Sequence, residues 1–282
     1  MDLTEHRIDS DGVELHVVEA GPADGVPVVL VHGWPDTHQV WRNQLPVLAD
    51  AGYRVLALDQ RGFGRSGRPA DRAGYHVFNA MADLSNLLDA FHMDSAHIVG
   101  HDWGAPPGWL LATFAPERVR SLTAVSVGHP AAYRDAGIEQ RRRSFYMLLL
   151  QYEGIAERWL SGNDWANLRE LLGMTDEIDR IIEFLSAPGA LTSSLEWYRS
   201  NIAPESLVEE PAELPVVTRP VLGVMGADDW ALTLEQMTGS ADHVEAEFRL
   251  EVIDEAAHWV QLEAADPVSY THLRAHETAM NI

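Results

Sequence analysis

Ala96-His97-Ile98-Val99-Gly100-His101-Asp102-Trp103-Gly104 is the stretch on which the reading of this chain turns. It opens as a short apolar run, as a buried strand does, and beyond Gly104 it continues into a helix-compatible segment that reaches Phe114. Between strand and helix, Gly100 to Gly104 has the G-x-nucleophile-x-G spacing of a sharp turn that lifts its central side chain to the top of a sheet. Here that side chain is a carboxylate, Asp102. A serine hydroxyl must lose a proton before it attacks and suits acyl transfer, whereas an aspartate is already anionic and displaces a leaving group from saturated carbon. The product is an ester of the protein itself. Its hydrolysis requires a base that activates water, and a histidine relieved of deprotonating the nucleophile supplies one.

Outward from the turn, apolar runs alternate with helical patterns, the signature of βαβ units around a parallel sheet. Val13 to Val18, Val26 to Val31, Tyr53 to Leu58 and Val119 to Val127 read as strands, and Val77, Met81, Leu84, Leu88 and Phe91 recur at helical spacing. From about Gly128 to Glu213 helical patterns follow one another without a strand, over Phe145 to Leu150, Leu168 to Leu172 and Ile178 to Leu185. Strand patterns return at Val221 to Met225 and Phe248 to Ile253. The expected architecture is an α/β fold with a mostly parallel central sheet flanked by helices. Its discontinuous core spans 1–128 and 213–268, and a helical cap spans 129–212. The polar run 269–282 resembles a translated cloning tail and is kept out of the functional argument.

The acid and the histidine should follow the nucleophile in that order, in loops after later strands. Gly226-Ala-Asp-Asp229-Trp230 and Glu255-Ala-Ala-His258-Trp259 stand there. Asp229, third after Gly226 and just before an aromatic residue, is preferred to Asp228. His258 alone among the 13 histidines lies in a loop after a late strand and downstream of the acid, whereas His97, His101 and His129 read as structural. His32-Gly33-Trp34-Pro35 follows the first central strand. Backbone N–H groups of Trp34 and Trp103 are expected to form the oxyanion hole, with a cis Trp34–Pro35 bond aiming the first inward. Trp34, Trp103, Trp230 and Trp259 flank these motifs and are expected to line an apolar, aromatic substrate pocket.

Composition closes other routes. With 43 Asp plus Glu against 20 Lys plus Arg, the net charge is −23, no lysine is present, and Arg141 to Arg143 is the longest basic stretch. Nucleic acid, which is held through neutralised phosphates, and anionic membrane surfaces are poor partners for such a chain. No apolar run approaches the ~20 residues of a membrane span, and the N-terminus lacks the basic-then-apolar pattern of a signal peptide, so a cytoplasmic protein is expected. The absence of cysteine excludes thiolate nucleophiles and Cys-ligated metals. Gly62 to Gly67 matches the dinucleotide spacing G-x-G-x-x-G, but Arg68-Pro69 follows instead of a helix, so it reads as a loop. The H-x-x-x-H spacing occurs only at His97 and His101, across a strand end, and at His272 and His276 in the tail, so no metal is expected.

His32-Gly-Trp-Pro35, Asp59-Gln-Arg-Gly-Phe-Gly-Arg-Ser66, Gly100-His-Asp-Trp-Gly104 and Glu255-Ala-Ala-His-Trp259 together resemble the α/β-hydrolase superfamily, and specifically its epoxide hydrolase branch, over about residues 10 to 268. The resemblance implies two cap tyrosines that hydrogen-bond the epoxide oxygen as it leaves. Tyr198, in Leu195-Glu-Trp-Tyr-Arg-Ser-Asn201, looks like one of them and Tyr146 like the other, with Tyr152 and Tyr133 as substitutes if the register differs. An epoxide leaves as a poor alkoxide unless a phenol of pKa near ~10 donates to it, while a halide needs only N–H donors. The expected partners are a small apolar epoxide and water, with no cofactor and with the protein as monomer or homodimer. The same motifs occur in haloalkane dehalogenases. That reading leaves the paired tyrosines unexplained, and a non-catalytic small-molecule binding protein would leave the nucleophile, acid and base without a purpose.

Overall fold

The central apolar runs become the middle of a twisted sheet because they are buried on both faces. In this computed structural model residues 3–173, 177–207 and 213–266 are described. Their eight strands are β1 (Thr4–Ser10), β2 (Val13–Ala20), β3 (Val26–Val31), β4 (Tyr53–Leu58), β5 (Ala96–His101), β6 (Val119–Val125), β7 (Val221–Gly226) and β8 (Phe248–Ile253). They lie in the order β1-β2-β4-β3-β5-β6-β7-β8. β1 and β2 form an antiparallel edge, and the other neighbours from β4 to β8 run parallel. Successive side chains of a strand point to opposite faces, and the core follows that period. Val28 and Leu30 of β3 and Val55 and Ala57 of β4 belong to one apolar cluster. Val29, Val31, Leu56 and Leu58 belong to the other, packed under Leu84, Leu87, Trp109 and Leu111.

Helices α1 (Gln44–Asp50), α2 (Val77–Ala90) and α3 (Ala105–Phe114) fill the crossovers of the first half. α3 is apolar all round and buried over most of its length, and its prolines, Pro106 and Pro107, sit in the first turn where a missing N–H costs nothing. Between β6 and β7 come α4 (Pro130–Asp135), α5 (Gly137–Arg143), α6 (Tyr146–Leu150), α7 (Ile155–Leu172), α8 (Ile178–Leu185) and α9 (Ala190–Asn201), with no strand among the described residues. α7 is interrupted where Gly162 to Trp165 leave helical backbone angles. Two short helices, α10 (Leu234–Thr238) and α11 (Val260–Glu263), follow among the described residues. Among the described residues no helix is long and apolar enough to cross a membrane.

Two differences from the pattern reading have clear causes. β6 ends at Val125 rather than Val127, because Ser126 turns to φ +67 and gives its hydroxyl to the carbonyl of His258 at 2.9 Å. The strand β1 was not anticipated. Its sequence TEHRIDS has no apolar alternation, since it is an edge with mostly exposed side chains held by backbone pairing to β2. The proposed tail, 269–282, with His272 and His276, lies outside the described residues.

One buried ion pair fastens the loop after β4 to α2. Arg61 donates from Nε and Nη2 to the two oxygens of Asp83 at 2.7 and 2.6 Å, and Ser10 adds a hydroxyl donor at 2.5 Å. Both charged residues are at most 4% exposed. Asp83→Ala leaves the guanidinium buried without its counter-charge and is expected to cost about 3–5 kcal/mol of stability. Urea unfolding checks this, and a loss below about 1 kcal/mol would place the pair with ordinary surface bridges.

Candidate active site

The site lies at the carboxyl ends of the parallel strands, where an open α/β sheet presents its loops. β5 ends at His101, and Asp102 turns to φ +49 before a single tight turn leads into α3. A backbone bent this sharply needs glycine around it. A Cβ on Gly100 would lie 2.2 Å from the carbonyl oxygen of Gly104, and one on Gly104 would lie 2.2 Å from that of Val31. The loop after β3 comes equally close to the carboxylate. There the Trp34–Pro35 peptide is cis, and the Trp34 N–H donates to Oδ1 of Asp102 at 2.7 Å.

Asp229 and His258 arrive from the loops after β7 and β8. Nδ1 of His258 lies 3.0 Å from Oδ2 of Asp229, and Nε2 lies 3.6 Å from Oδ2 of Asp102. Oδ1 of Asp229 accepts from the amides of Ala231 and Leu232, both at 2.9 Å. Asp228 is exposed and turns away, so the buried Asp229 is the carboxylate that meets the imidazole. Burial opposes charge on both partners, yet each is shifted towards its charged form. The Asp229 charge, then the nearby Asp102 carboxylate and the hydrogen bond to Asp229, raise His258 from its ordinary 6.5 to about 10. The His258 charge and hydrogen bond, with the two amides, hold Asp229 below its ordinary value.

Tyr146 at the start of α6 and Tyr198 in α9 stand with ring centroids 6.2 Å apart. Burial first pushes both phenols well above 10, helped next by the Asp102 charge at Tyr146 and by Tyr146 and then Asp102 at Tyr198, so both are held as donors. Tyr198 is boxed edge-on by Trp34 at 5.5 Å and by Trp103 at 5.2 Å. Of the two substitutes, Tyr152 is exposed, and Tyr133 shares its hydroxyl with Ser144 at 2.7 Å.

A cavity of about 380 Å³ opens from Asp102, Trp103 and Tyr146 past Leu110, Met147 and Leu232. That volume is within the range of small-ligand pockets. Among the tryptophans expected at the substrate, Trp103 lines this cavity, while Trp34 and Trp230 back the tyrosines and His258 instead. Trp259 lies behind His258, ring centroids 4.8 Å apart at 90°, with its indole N–H given to Asp36. Here the side chains of His258 and Trp259, adjacent in sequence, part company, which proximity of motifs does not reveal.

Several residues that shape the site carry no local signal. His101 Nε2 lies 3.0 Å from the His258 carbonyl oxygen, and Ser126 donates to the same oxygen, so two strands hold the loop that presents the imidazole. Burial lowers His101 to about 4, which leaves it neutral. From α5, Arg143 donates to the carbonyls of Asp229 at 2.5 Å and Leu232 at 2.6 Å, and Gln140 bonds Ala231 and Thr233.

Among the described residues one group has the composition of a metal site: His16, His38 and Asp59, with ligand atoms within 4.8 Å of one another. Each imidazole already spends Nδ1 on its own carboxylate oxygen, at 2.9 and 2.8 Å, and the amides of His38 and Arg65 bond the same two oxygens. These bonds outweigh burial and hold Asp59 far below the usual carboxylate range. The cluster therefore staples the loop after β4. The Gly62 to Gly67 stretch beside it is such a loop, with Gly62 N–H bonded to the carbonyl of Gly67 at 2.8 Å.

Comparison with known proteins agrees with this geometry. The family profile of the alpha/beta hydrolase fold matches residues 26–265. The chain is 33% identical to an AB hydrolase superfamily protein of Bacillus subtilis, covering 91% of this chain and 92% of that protein. It is 34% identical to epoxide hydrolase A of Mycobacterium tuberculosis, covering 94% and 95%. Among solved structures, a Bacillus megaterium epoxide hydrolase in complex with an inhibitor superposes with a TM-score of 0.87 at 25% identity, over 96% of this chain and all of that one. Its sheet order, its strand-end site and these relatives place the chain in the α/β-hydrolase family, within the epoxide hydrolase branch.

Proposed function

We propose that the protein hydrolyses epoxides to vicinal diols through a covalent ester on Asp102. The observation that carries this reading is the pair of phenols, half-buried Tyr146 and buried Tyr198, with a carboxylate backed by a His258–Asp229 pair. Oδ1 of Asp102 is held by the Trp34 amide, which leaves Oδ2 to attack a ring carbon. The C–O bond breaks, and a phenol proton passes to the departing oxygen. The protonated His258 returns a proton to the phenolate and becomes neutral. It then takes one from water, hydroxide adds to the ester carbonyl, and the oxyanion develops where Trp34 N–H, joined by that of Trp103, stabilises it. Collapse expels the second alkoxide. The new carboxyl gives that alkoxide its proton, releasing diol and restoring Asp102 as carboxylate and His258 as imidazolium.

The charge on Asp102 times these steps. While it is present it adds to burial in keeping both phenols protonated and to the Asp229 charge in keeping the imidazole protonated. Once it becomes a neutral ester, the same coupling relaxes: the phenols turn more acidic as the alkoxide forms, and His258 becomes a base when a base is needed. Helices α4 to α9, within residues 129–212, act on this reading as a cap over the core formed by 1–128 and 213–268. The apolar walls of the cavity favour a small apolar epoxide and water, with no cofactor, and every group invoked comes from one chain, whether it works as monomer or homodimer.

Asp102→Ala is expected to abolish diol formation, and turnover in ¹⁸O-water to place label in Asp102; unlabelled Asp102 after several cycles would sink the covalent route. Tyr146→Phe and Tyr198→Phe are each expected to slow ring opening, with the double variant losing about 10²–10⁴-fold, the usual worth of a general acid. Release of halide from haloalkanes without diol from epoxides would favour the dehalogenase reading instead. The His258 imidazole, followed by NMR, should hold its proton up to about pH 10 in the resting protein. In Asp102→Asn, which removes a charge and an acceptor, the midpoint should fall. Because the folded value lies above the ordinary 6.5, the stability this proton contributes is complete below that pH and lost as the pH rises through about 10.

A further inference from the structure

Asp36 lies two residues beyond Trp34 in the loop after β3 and is 1% exposed. No step of the reaction above uses it, and a buried carboxylate without a purpose is costly. Its two oxygens go to different places. Oδ2 accepts the indole N–H of Trp259 at 2.9 Å, and Oδ1 accepts Nη2 of Arg180, on α8 of the cap, at 2.9 Å. Its own amide donates to the carbonyl of Gly33 at 3.0 Å, closing the turn that contains Trp34. Trp259 in turn presses edge-on against the His258 ring, centroids 4.8 Å apart. One carboxylate thus joins the oxyanion amide, the ring that backs the base, and a cap helix. Arg180 is steadied from behind by Glu177 at 3.0 Å.

We infer that Asp36 is a positioning residue that sets the His258 ring and the Trp34 N–H for ester hydrolysis, and that Arg180 makes this setting depend on the seated cap. The inference rests on the covalent route proposed above. Its consequence is selective. Ring opening needs Asp102 and the phenols, whereas hydrolysis of the ester needs an imidazole aimed at water and an amide aimed at the oxyanion. Loosening the support behind both should slow the second step far more than the first.

The test follows both steps in single turnover on styrene oxide, with intact-protein mass for the ester and diol release for its hydrolysis. Asp36→Asn and Trp259→Phe are each expected to slow ester hydrolysis by about 10-fold while changing ester formation by less than about 2-fold, so that ester accumulates and kcat and KM fall together. The double variant should lose little more than either single one, since both break the same link. Arg180→Met, which releases the cap end only, should show the same signature at about 3-fold. Trp259→Phe retains an aromatic ring and loses the N–H, so it decides the matter if Asp36→Asn does not fold. Variants with wild-type ester occupancy and kcat, whatever their melting temperature, would overturn this inference alone. A wild-type protein that makes diol without any Asp102 ester would overturn it together with the covalent reading.

Discussion

The structure depends on holding one carboxylate, Asp102, at a left-handed backbone turn between two loops that approach within van der Waals contact. A residue other than glycine at positive φ is strained, and it persists only where its surroundings fix it. Here they do so from both sides. Gly100 and Gly104 let the turn close on itself and on the end of β3, and a Cβ on Gly33 would lie 2.4 Å from that of Asp102. The same crowding brings the Trp34 amide within 2.7 Å of Oδ1. Strain at the turn and the hydrogen bond that stabilises charge there are therefore products of one packing arrangement.

That turn is reached from the sheet, and the sheet explains why residues more than 150 positions apart in sequence meet. Parallel strands β3, β5, β7 and β8 end on one edge, so the loops carrying Trp34, Asp102, Asp229 and His258 converge without any local attraction between them. Convergence to within several ångströms is given by topology; the last ångström is supplied by polar ties. His101 and Ser126 hold the His258 carbonyl, and Gln140 and Arg143 hold the loop of Asp229. These ties pair backbone carbonyls of the two loops, that of His258 twice, so folding and site geometry draw on the same bonds.

Much of this was legible because it is periodic or chemically specific. Continuous apolar runs marked the strands buried on both faces, and helical spacing marked α2 and gave the bounds of α8. Asp102, Asp229 and His258, which the fold brings together, stood out because the motifs proposed for a nucleophile, an acid and a base follow strands in a fixed order. What escaped was specified only by tertiary partners. β1 is polar because it is an edge. Trp259 was placed at the substrate by its neighbour in sequence, but side chains adjacent along a loop point apart, and this one finds Asp36, 223 positions away. Asp36 and Arg180 themselves are ordinary charged residues until the fold brings them together.

The distribution of charge follows from the same distinction. A chain with net charge −23 could not leave acidic groups at the site unmatched without repelling the alkoxide that the proposed route forms. Its buried carboxylates are each matched. Asp59 faces two imidazoles and two amides, Asp83 a guanidinium, Asp36 a guanidinium and an indole, and Asp229 an imidazole and two amides. Asp102 differs: its Oδ1 has one strong amide donor, while its Oδ2 has only an imidazole 3.6 Å away, beyond a good hydrogen bond. The oxygen that is least satisfied is the one free to react. Full solvation or a second close donor would have stabilised that oxygen in the resting state and raised the barrier to its attack. On the proposed route, incomplete satisfaction at one atom, enforced by complete satisfaction around it, keeps the Asp102 carboxylate nucleophilic.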